Sequence, residues 1–253
     1  KPARSASVLT GHLNTFLASM QANYAGALGI GYINVFYAPL LVGKSKKELK
    51  QIAQELVFNG SQNAFSRGGQ TLFLDYNIHT GVPSYLADVP AVGPGGRYML
   101  RLADGRIKEL EETAAGETDP YGNRLMQLAL PDGNGGRVVY RETVNPKTGA
   151  IHPDPKLQEE LSHKGETLVT YKEYSDITRE FASALLDVFA EGDRHGKVFE
   201  FPKCDFHINE ETFSDPEQNK LLRKACELAS RNGSTYFVFD RDEVTLSACC
   251  RLR

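Results

Sequence analysis

Apolar residues recur at spacings of three and four in four stretches of the chain, which is the pattern of one face of an α-helix. The stretches cover residues 5–28, 45–58, 173–190 and 215–233. Two of them have clear start signals. Ser45 and Glu48 have the spacing of a capping box, and Asp215 precedes a proline, as an N-cap precedes a proline at the first helical position. The pattern therefore predicts four helices.

Short apolar runs between these helices predict buried strands. They lie at residues 71–76, 197–201, 234–240 and 244–248. Helices that alternate with short buried strands are typical of one fold class. The sequence therefore predicts an α/β fold.

The middle of the chain, residues 97–165, breaks this alternation because it is polar and rich in turns. It follows a loop of prolines and glycines at 90–96, and it places Asp104-Gly105 and Asp132-Gly133 between strand-like runs. An Asp-Gly pair in such a setting is a hairpin signal. We predict a β-hairpin insertion at the surface, and a disordered linker is the alternative.

The composition excludes several classes of protein. The chain has 253 residues and a net charge of −3, so it lacks the global basic field typical of nucleic-acid-binding proteins. No stretch approaches the roughly 18 apolar residues of a membrane span. Four cysteines, two of them adjacent, do not make a disulfide framework, which favours a reducing cytoplasm.

Two adjacent cysteines near the last residue are the first candidate for chemistry. Cys249 and Cys250 follow the predicted strand at 244–248 and precede Arg251. A sulfur at a strand end beside a positive charge suits thiol chemistry, because the charge favours the thiolate. Burial in the core is the alternative, since free cysteine is among the most buried residue types.

A polar loop before the strand at 71–76 is the second candidate. It combines two glycines with a guanidinium, a hydroxyl and an amide, in the residues Ser66, Arg67, Gly68, Gly69 and Gln70. Glycine lets a backbone approach a ligand, and arginine forks onto phosphate. The loop lacks the Gly-Lys-Ser/Thr element of a P-loop, and a structural turn is the alternative.

A third stretch, residues 201–213, holds Cys204 and His207 at the spacing of half a metal site. No second half-site accompanies them, so the sequence predicts no metal site. We favour a strand end that presents His207 and Asn209 to a cleft. The other histidines, His79 among them, have no partners at telling spacings, and they are predicted to be surface or core residues.

Three segments of the chain occur in the order NGSQNAFSRGGQTLF, EGDRHGKVFEFPKCDFHI and YFVFDRDEVTLSACCRLR. Together they resemble the anaerobic (class III) ribonucleoside-triphosphate reductases, especially the archaeal type. The resemblance covers residues 1–96 and 170–253. It implies that 1–96 forms the first part of the reductase barrel with the dimer and effector helices. Residues 97–165 would be an insertion, and 166–253 would continue the barrel to the finger-loop cysteine.

The resemblance implies part of a ten-stranded α/β barrel of the glycyl-radical enzyme type, entered by a finger loop with a cysteine at its tip. By the family pattern the cysteine directly before the arginine is the radical site, which here is Cys250, with Cys249 as its neighbour. Its thiyl radical would abstract the 3′ hydrogen of the ribose. The loop at 66–70 would contact a nucleotide, in the active site or an effector site, and His207 and Asn209 would face the barrel interior.

The resemblance also implies cofactors and partners. A glycyl radical and a zinc site are expected in a C-terminal part beyond these residues, and a radical S-adenosylmethionine activating enzyme would install the radical. Formate or a thiol reductant would supply electrons, and ATP or deoxynucleotides would act as effectors of a homodimer. The chain is expected to be a central fragment of the reductase, inactive alone and cytoplasmic.

Two other classes stay open at this point. One is a non-catalytic nucleotide-binding regulatory module derived from a reductase, which would bind deoxynucleotides without turnover. The other is a redox or metal-binding protein with vicinal thiols, which a thiol titration with and without zinc would reveal.

Overall fold

A computed structural model describes residues 1–24, 26–62, 72–110, 125–128, 138–144, 151–153 and 155–241. The α-helices in these ranges are α1 (Ala6–Asn23), α2 (Ile33–Tyr37), α3 (Lys46–Ser61), α4 (Ser84–Ala87), α5 (Pro155–His163), α6 (Ser175–Glu191), α7 (Glu210–Ser214) and α8 (Pro216–Asn232). The strands are β1 (Leu28–Ile30), β2 (Leu74–His79), β3 (Met99–Arg101), β4 (Ile107–Glu109), β5 (Leu125–Leu128), β6 (Val138–Val144), β7 (Ile151–Pro153), β8 (Thr167–Leu168), β9 (Lys203–Ile208) and β10 (Thr235–Phe239).

The chain divides into two compact units. The hairpin unit comprises Pro83–Glu173 with Lys1–Pro2, and the sheet unit comprises Ala3–Val82 with Tyr174–Arg253. In the hairpin unit β3 pairs antiparallel with β4 and β8, and β6 pairs antiparallel with β5 and β7. The two predicted hairpins are thus present as β3–β4 and β5–β6. That this region is an insertion stays a prediction.

The sheet unit is built on a four-stranded parallel sheet in the order β1-β2-β9-β10. Strands of the two halves of the sequence meet at its centre, where β2 pairs with β9. A parallel sheet with helical connections confirms the predicted α/β class. The ten-stranded barrel is a finer prediction, to which we return below.

One face of this sheet is apolar. Alternate residues of β2 and β9 are fully buried in the main core with residues of α3, α6 and α8; on the strands they are Leu74, Tyr76, Ile78, Cys204, Phe206 and Ile208. Helix α3 comes close to β2 at Gly60, where a Cβ would lie only 2.7 Å from the Tyr76 hydroxyl. Tyr76 donates a hydrogen bond to the Leu56 carbonyl at 3.1 Å, which fixes the helix on the sheet.

The predicted helix starts agree with the structure. Ser45 accepts from the Glu48 amide while the Glu48 carboxylate accepts from the Ser45 amide, so α3 begins with the predicted capping box. Asp215 caps α8 ahead of Pro216. Helix α1 ends at Asn23, five residues before the predicted boundary at 28, because Tyr24 already has extended backbone angles.

The strand predicted at 197–201 is wrong, because the strand of this region begins at Lys203. Phe199 is nevertheless buried, with its ring against Phe58 and Phe189. The apolar residues of 197–201 therefore pack into the core, although this segment does not pair with a strand of the sheet. The strand predicted at 71–76 is present but runs from Leu74 to His79. The strand predicted at 244–248 lies outside the described residues.

Candidate functional site

The second face of the parallel sheet is polar although it is buried. In the register of β2 with β9, Asp75 pairs with Lys203, Asn77 with Asp205 and His79 with His207. Paired residues of parallel strands point to the same side, so these six side chains share one face. Five of them are at most 3% exposed, namely Asp75, Asn77, His79, Asp205 and His207. Burying polar groups is costly unless they are bonded, so this face serves a purpose other than packing.

The polar groups converge where the strands end. His79 is the last residue of β2, His207 is the last but one of β9, and Asp240 directly follows β10. The carboxyl ends of parallel strands lie at the same edge of a sheet, which is where α/β proteins commonly bind ligands. We call these three residues the carboxyl-edge cluster.

Hydrogen bonds fix the orientation of His207. Asn77 Nδ2 donates to the Ile30 carbonyl at 3.2 Å, so its Oδ1 faces His207 Nε2 at 2.7 Å and accepts from that nitrogen. On the other side of the ring, His207 Nδ1 lies 3.0 and 3.1 Å from the two carboxylate oxygens of Asp240. A carboxylate has no proton to give. A cation, either a proton or a metal ion, must therefore lie between His207 and Asp240.

His79 is held by ring contacts. Its imidazole is stacked on Tyr32 at 4.7 Å between centroids and on His207 at 4.1 Å. Its Nε2 is buried and has no hydrogen-bond partner, and its Nδ1 lies 4.0 Å from Asp240 Oδ2. Burial, followed by the charge of His207, holds the pKa of His79 well below its ordinary value. The ring is therefore neutral at neutral pH.

Helix α2 positions His79 from the other side. The Asn34 side chain bridges the main chain of His79, because its Oδ1 accepts from the His79 amide at 3.0 Å and its Nδ2 donates to the His79 carbonyl at 2.8 Å. Tyr32, which precedes this helix, has a φ of 53°. A bulky residue in this region is an outlier that its surroundings must hold in place. The backbone is thus shaped to bring the Tyr32 ring over His79.

The structure places the sequence-predicted residues differently from one another. His207 lies within β9 on the polar face, at the centre of the cluster. Asn209 instead caps α7, where its Oδ1 accepts from the Thr212 amide at 3.0 Å. Cys204 lies on the apolar face, three residues before His207 and on the opposite side of the strand, which rules out their joint binding of a metal ion. Burial raises the pKa of the Cys204 thiol.

The remaining predicted residues lie outside the part of the chain that the structure describes. They are Cys249, Cys250, Ser66, Arg67, Gly68, Gly69 and Gln70. Nothing in the structure tests their assignment.

Sequence reasoning missed the role of His79 and of Asp240. His79 was predicted to be a surface or core residue without partners, and it is a core residue that contacts His207 and faces Asp240. A signal for it existed. In LDYNIH and KCDFHI, apolar residues alternate with charged or polar ones, which predicts strands with one polar face ending in histidine. The sequence predicted no metal site, yet among the described residues this cluster is a group that could hold a metal ion.

In the parts of the chain that the structure describes, none of the helices has the length and apolar character needed to cross a membrane.

Comparisons with known proteins agree on one family. A family model described as anaerobic ribonucleoside-triphosphate reductase matches residues 1–253. A crystal structure of the anaerobic ribonucleotide reductase from Thermotoga maritima in complex with dATP and CTP matches with a TM-score of 0.53 and 11% identity, over 98% of this chain and 30% of that chain. A second, with citrate in the active site, has a TM-score of 0.51 and 12% identity, over 95% and 31%.

These structural likenesses show the fold alone, because the sequence identities are low. This chain spans only about a third of the length of those structures. No curated protein matches it.

Proposed function

The chain belongs to the anaerobic ribonucleoside-triphosphate reductase family, and we propose that it is the central part of an enzyme that reduces ribonucleoside triphosphates to 2′-deoxyribonucleoside triphosphates for DNA synthesis. The observation that carries this proposal is the family match over all 253 residues. The parallel sheet and its likeness to part of the Thermotoga reductase support it.

In this proposal Cys250 is the hydrogen-abstracting residue. Its thiyl radical takes the 3′ hydrogen of the ribose, the 2′ hydroxyl leaves as water, and the reductant supplies two electrons. Cys249 is a neighbour with a lesser role. Residues 66–70 form a loop that contacts a nucleotide.

The polar face of the sheet lines the interior of the proposed ten-stranded barrel. A cavity that holds a ribose needs hydrogen-bonding groups inside an otherwise apolar wall, and the buried row of Asp75, Asn77, His79, Asp205 and His207 supplies them. Asn209, which the sequence also suggested for the interior, has its side chain engaged as a helix cap.

The complete enzyme would depend on groups beyond this chain. We propose a glycyl radical in a C-terminal domain, installed by a radical S-adenosylmethionine enzyme, a zinc site in the same part, and formate or a thiol as the electron donor. The Thermotoga reductase was solved with dATP and CTP, which supports nucleotide substrates and effectors for this chain. α1 and α3 are the candidate dimer and effector helices.

The test uses the complete reductase, activated anaerobically and assayed for deoxynucleotide formation. Cys250→Ala abolishes turnover and leaves nucleotide binding intact, whereas Cys249→Ser has a much milder effect. Turnover retained in Cys250→Ala would refute the assignment. Deoxynucleotide binding without turnover in the complete wild-type enzyme would favour the regulatory module instead.

A further inference from the structure

Three side chains at the carboxyl ends of three neighbouring strands meet in the carboxyl-edge cluster. The donor atoms of His79, His207 and Asp240 all lie within 4.8 Å of one another. We propose that this cluster binds one divalent transition-metal ion, such as Zn²⁺ or Fe²⁺, through one nitrogen of each histidine and the carboxylate of Asp240. This site is separate from the zinc site proposed for the C-terminal part of the reductase, and it does not depend on the proposed function.

The first argument is the facing of His207 and Asp240. Because Asn77 Oδ1 accepts a hydrogen bond from His207 Nε2, Nδ1 is the nitrogen that faces the Asp240 carboxylate, 3.0 Å away. This pair needs a cation between the two groups, and a divalent metal ion can take the place of the proton on Nδ1. Metal-ligating histidines commonly donate their other ring N–H to a carbonyl or carboxylate oxygen, and the Asn77 carbonyl has this role here.

The second argument is the unsatisfied nitrogen of His79. The side chain is 4% exposed, and its Nε2 has no hydrogen-bond partner. A buried polar atom without a partner costs about 1–3 kcal/mol. In the observed orientation Nδ1 is the nitrogen that faces Asp240, at 4.0 Å. The cost at Nε2 is therefore removed only if the ring turns so that Nε2 binds the ion.

The stacking of the two rings sets a condition on binding. Their planes are 24° apart, so the in-plane lone pairs run side by side instead of meeting at one point. His79 must therefore turn out of its stack with His207 to share the ion. The turn breaks the ring contacts of His79 with Tyr32 and His207.

The donor set defines the class of metal. Two imidazoles and a carboxylate suit Zn²⁺ and Fe²⁺, whereas Mg²⁺ and Ca²⁺ prefer oxygen alone. Three protein ligands leave coordination positions open, as in catalytic metal sites, where a water or another oxygen ligand completes the shell. Asp240 is the member nearest to solvent, with 13% of its side chain exposed, so the ion enters past its carboxylate.

The experiment uses the 253-residue chain, stripped of metal with a chelator and titrated with Zn²⁺ by calorimetry. We expect one equivalent to bind. X-ray absorption at the zinc edge should show nitrogen and oxygen ligands at about 2.0–2.1 Å and no sulfur at about 2.3 Å. A sulfur ligand at the longer distance would show that the zinc ion is bound by cysteines and not by this cluster.

Asp240→Asn is the diagnostic variant, because its amide oxygen can still accept from His207 while the ligand charge is gone. We expect its affinity for Zn²⁺ to fall at least about tenfold. The matched control is His195→Ala, which removes an exposed histidine outside the cluster and should leave binding unchanged. Absence of stoichiometric binding, sulfur ligands, or equal affinity of Asp240→Asn would overturn the proposal. If Asp240→Asn does not fold, the ligand distances in the wild-type chain decide alone.

Discussion

The two faces of the parallel sheet are built from the same strands but differ in what they bury. On one face, Tyr76 and Phe206 lie in the core with the helices. On the other, Asn77 and His207, their neighbours in the sequence, are equally buried and hydrogen-bonded to each other. Burial therefore does not distinguish the two faces, whereas the chemistry of the buried side chains does: mostly apolar on one face, polar on the other.

The two faces therefore have different roles: the apolar face contributes mainly to folding stability, and the polar face provides groups that can bind a ligand. The apolar face is stabilised by removing hydrocarbon from water, and each side chain contributes in proportion to its area. The polar face gains less because its groups already had good partners in water. Among the described residues of this face, His79 has a buried ring nitrogen, Nε2, without a hydrogen-bond partner, and its ring lies beside the place where we expect a ligand.

The largest expected effect is on the apolar face. Phe206→Ala leaves a cavity beside Phe237, whose ring lies 6.2 Å from that of Phe206, and should lower the free energy of unfolding by about 3–5 kcal/mol. Denaturation in urea measures it. Phe213→Ala, at an exposed position (60%), should change stability by no more than about 0.5 kcal/mol. Similar losses in both variants would contradict the assignment of this face as the core.

A smaller effect is expected on the polar face. Asn77→Ala removes the acceptor of His207 Nε2–H and the donor to the Ile30 carbonyl, and it should cost about 1–3 kcal/mol of unfolding free energy. The exposed Asn23→Ala is the control in the same urea experiment, with little or no loss expected. If Asn77→Ala lowered the free energy of unfolding as much as Phe206→Ala does, the proposed difference between the two faces would be wrong.

His79→Leu should separate stability from binding. Leucine has a similar size and no unpaired polar atom, so the free energy of unfolding should change by less than about 1 kcal/mol. Zinc binding in calorimetry should nevertheless be lost. A strongly destabilised variant would mean that His79 is a structural residue of the core.

The smallest effect concerns pH and acts through the first turn of α3, a helix that packs on the apolar face. Hydrogen bonds from the Ser45 amide and hydroxyl lower the pKa of Glu48 from 4.5 to about 2. The capping contribution is therefore complete above pH 4.5 and is lost as the pH falls toward 2. Thermal unfolding followed across this range should show a component of acid destabilisation that Glu48→Gln lacks. Parallel pH curves for the two proteins would show that the capping box carries no such component.

Local chemistry made part of the fold predictable from the sequence. The caps at Ser45 and Asp215 and the hairpin at Asp104-Gly105 depend on neighbours a few residues away, and all three are present. The prediction of a strand at 197–201 was wrong, because a short run of apolar residues does not distinguish a strand from a loop that packs into the core. For the site, the sequence singled out His207, but it gave His79 no role.

The sequence by itself determined the α/β class, the helix starts, the hairpins and the resemblance to a reductase family. Only the tertiary structure decided which polar residues meet. His207 and Asn77 are 130 residues apart, and they touch because β2 pairs with β9 in one particular register. A shift of that register by one residue would turn the histidine to the other face. Long-range strand pairing therefore created the carboxyl-edge cluster from residues that no local pattern connects.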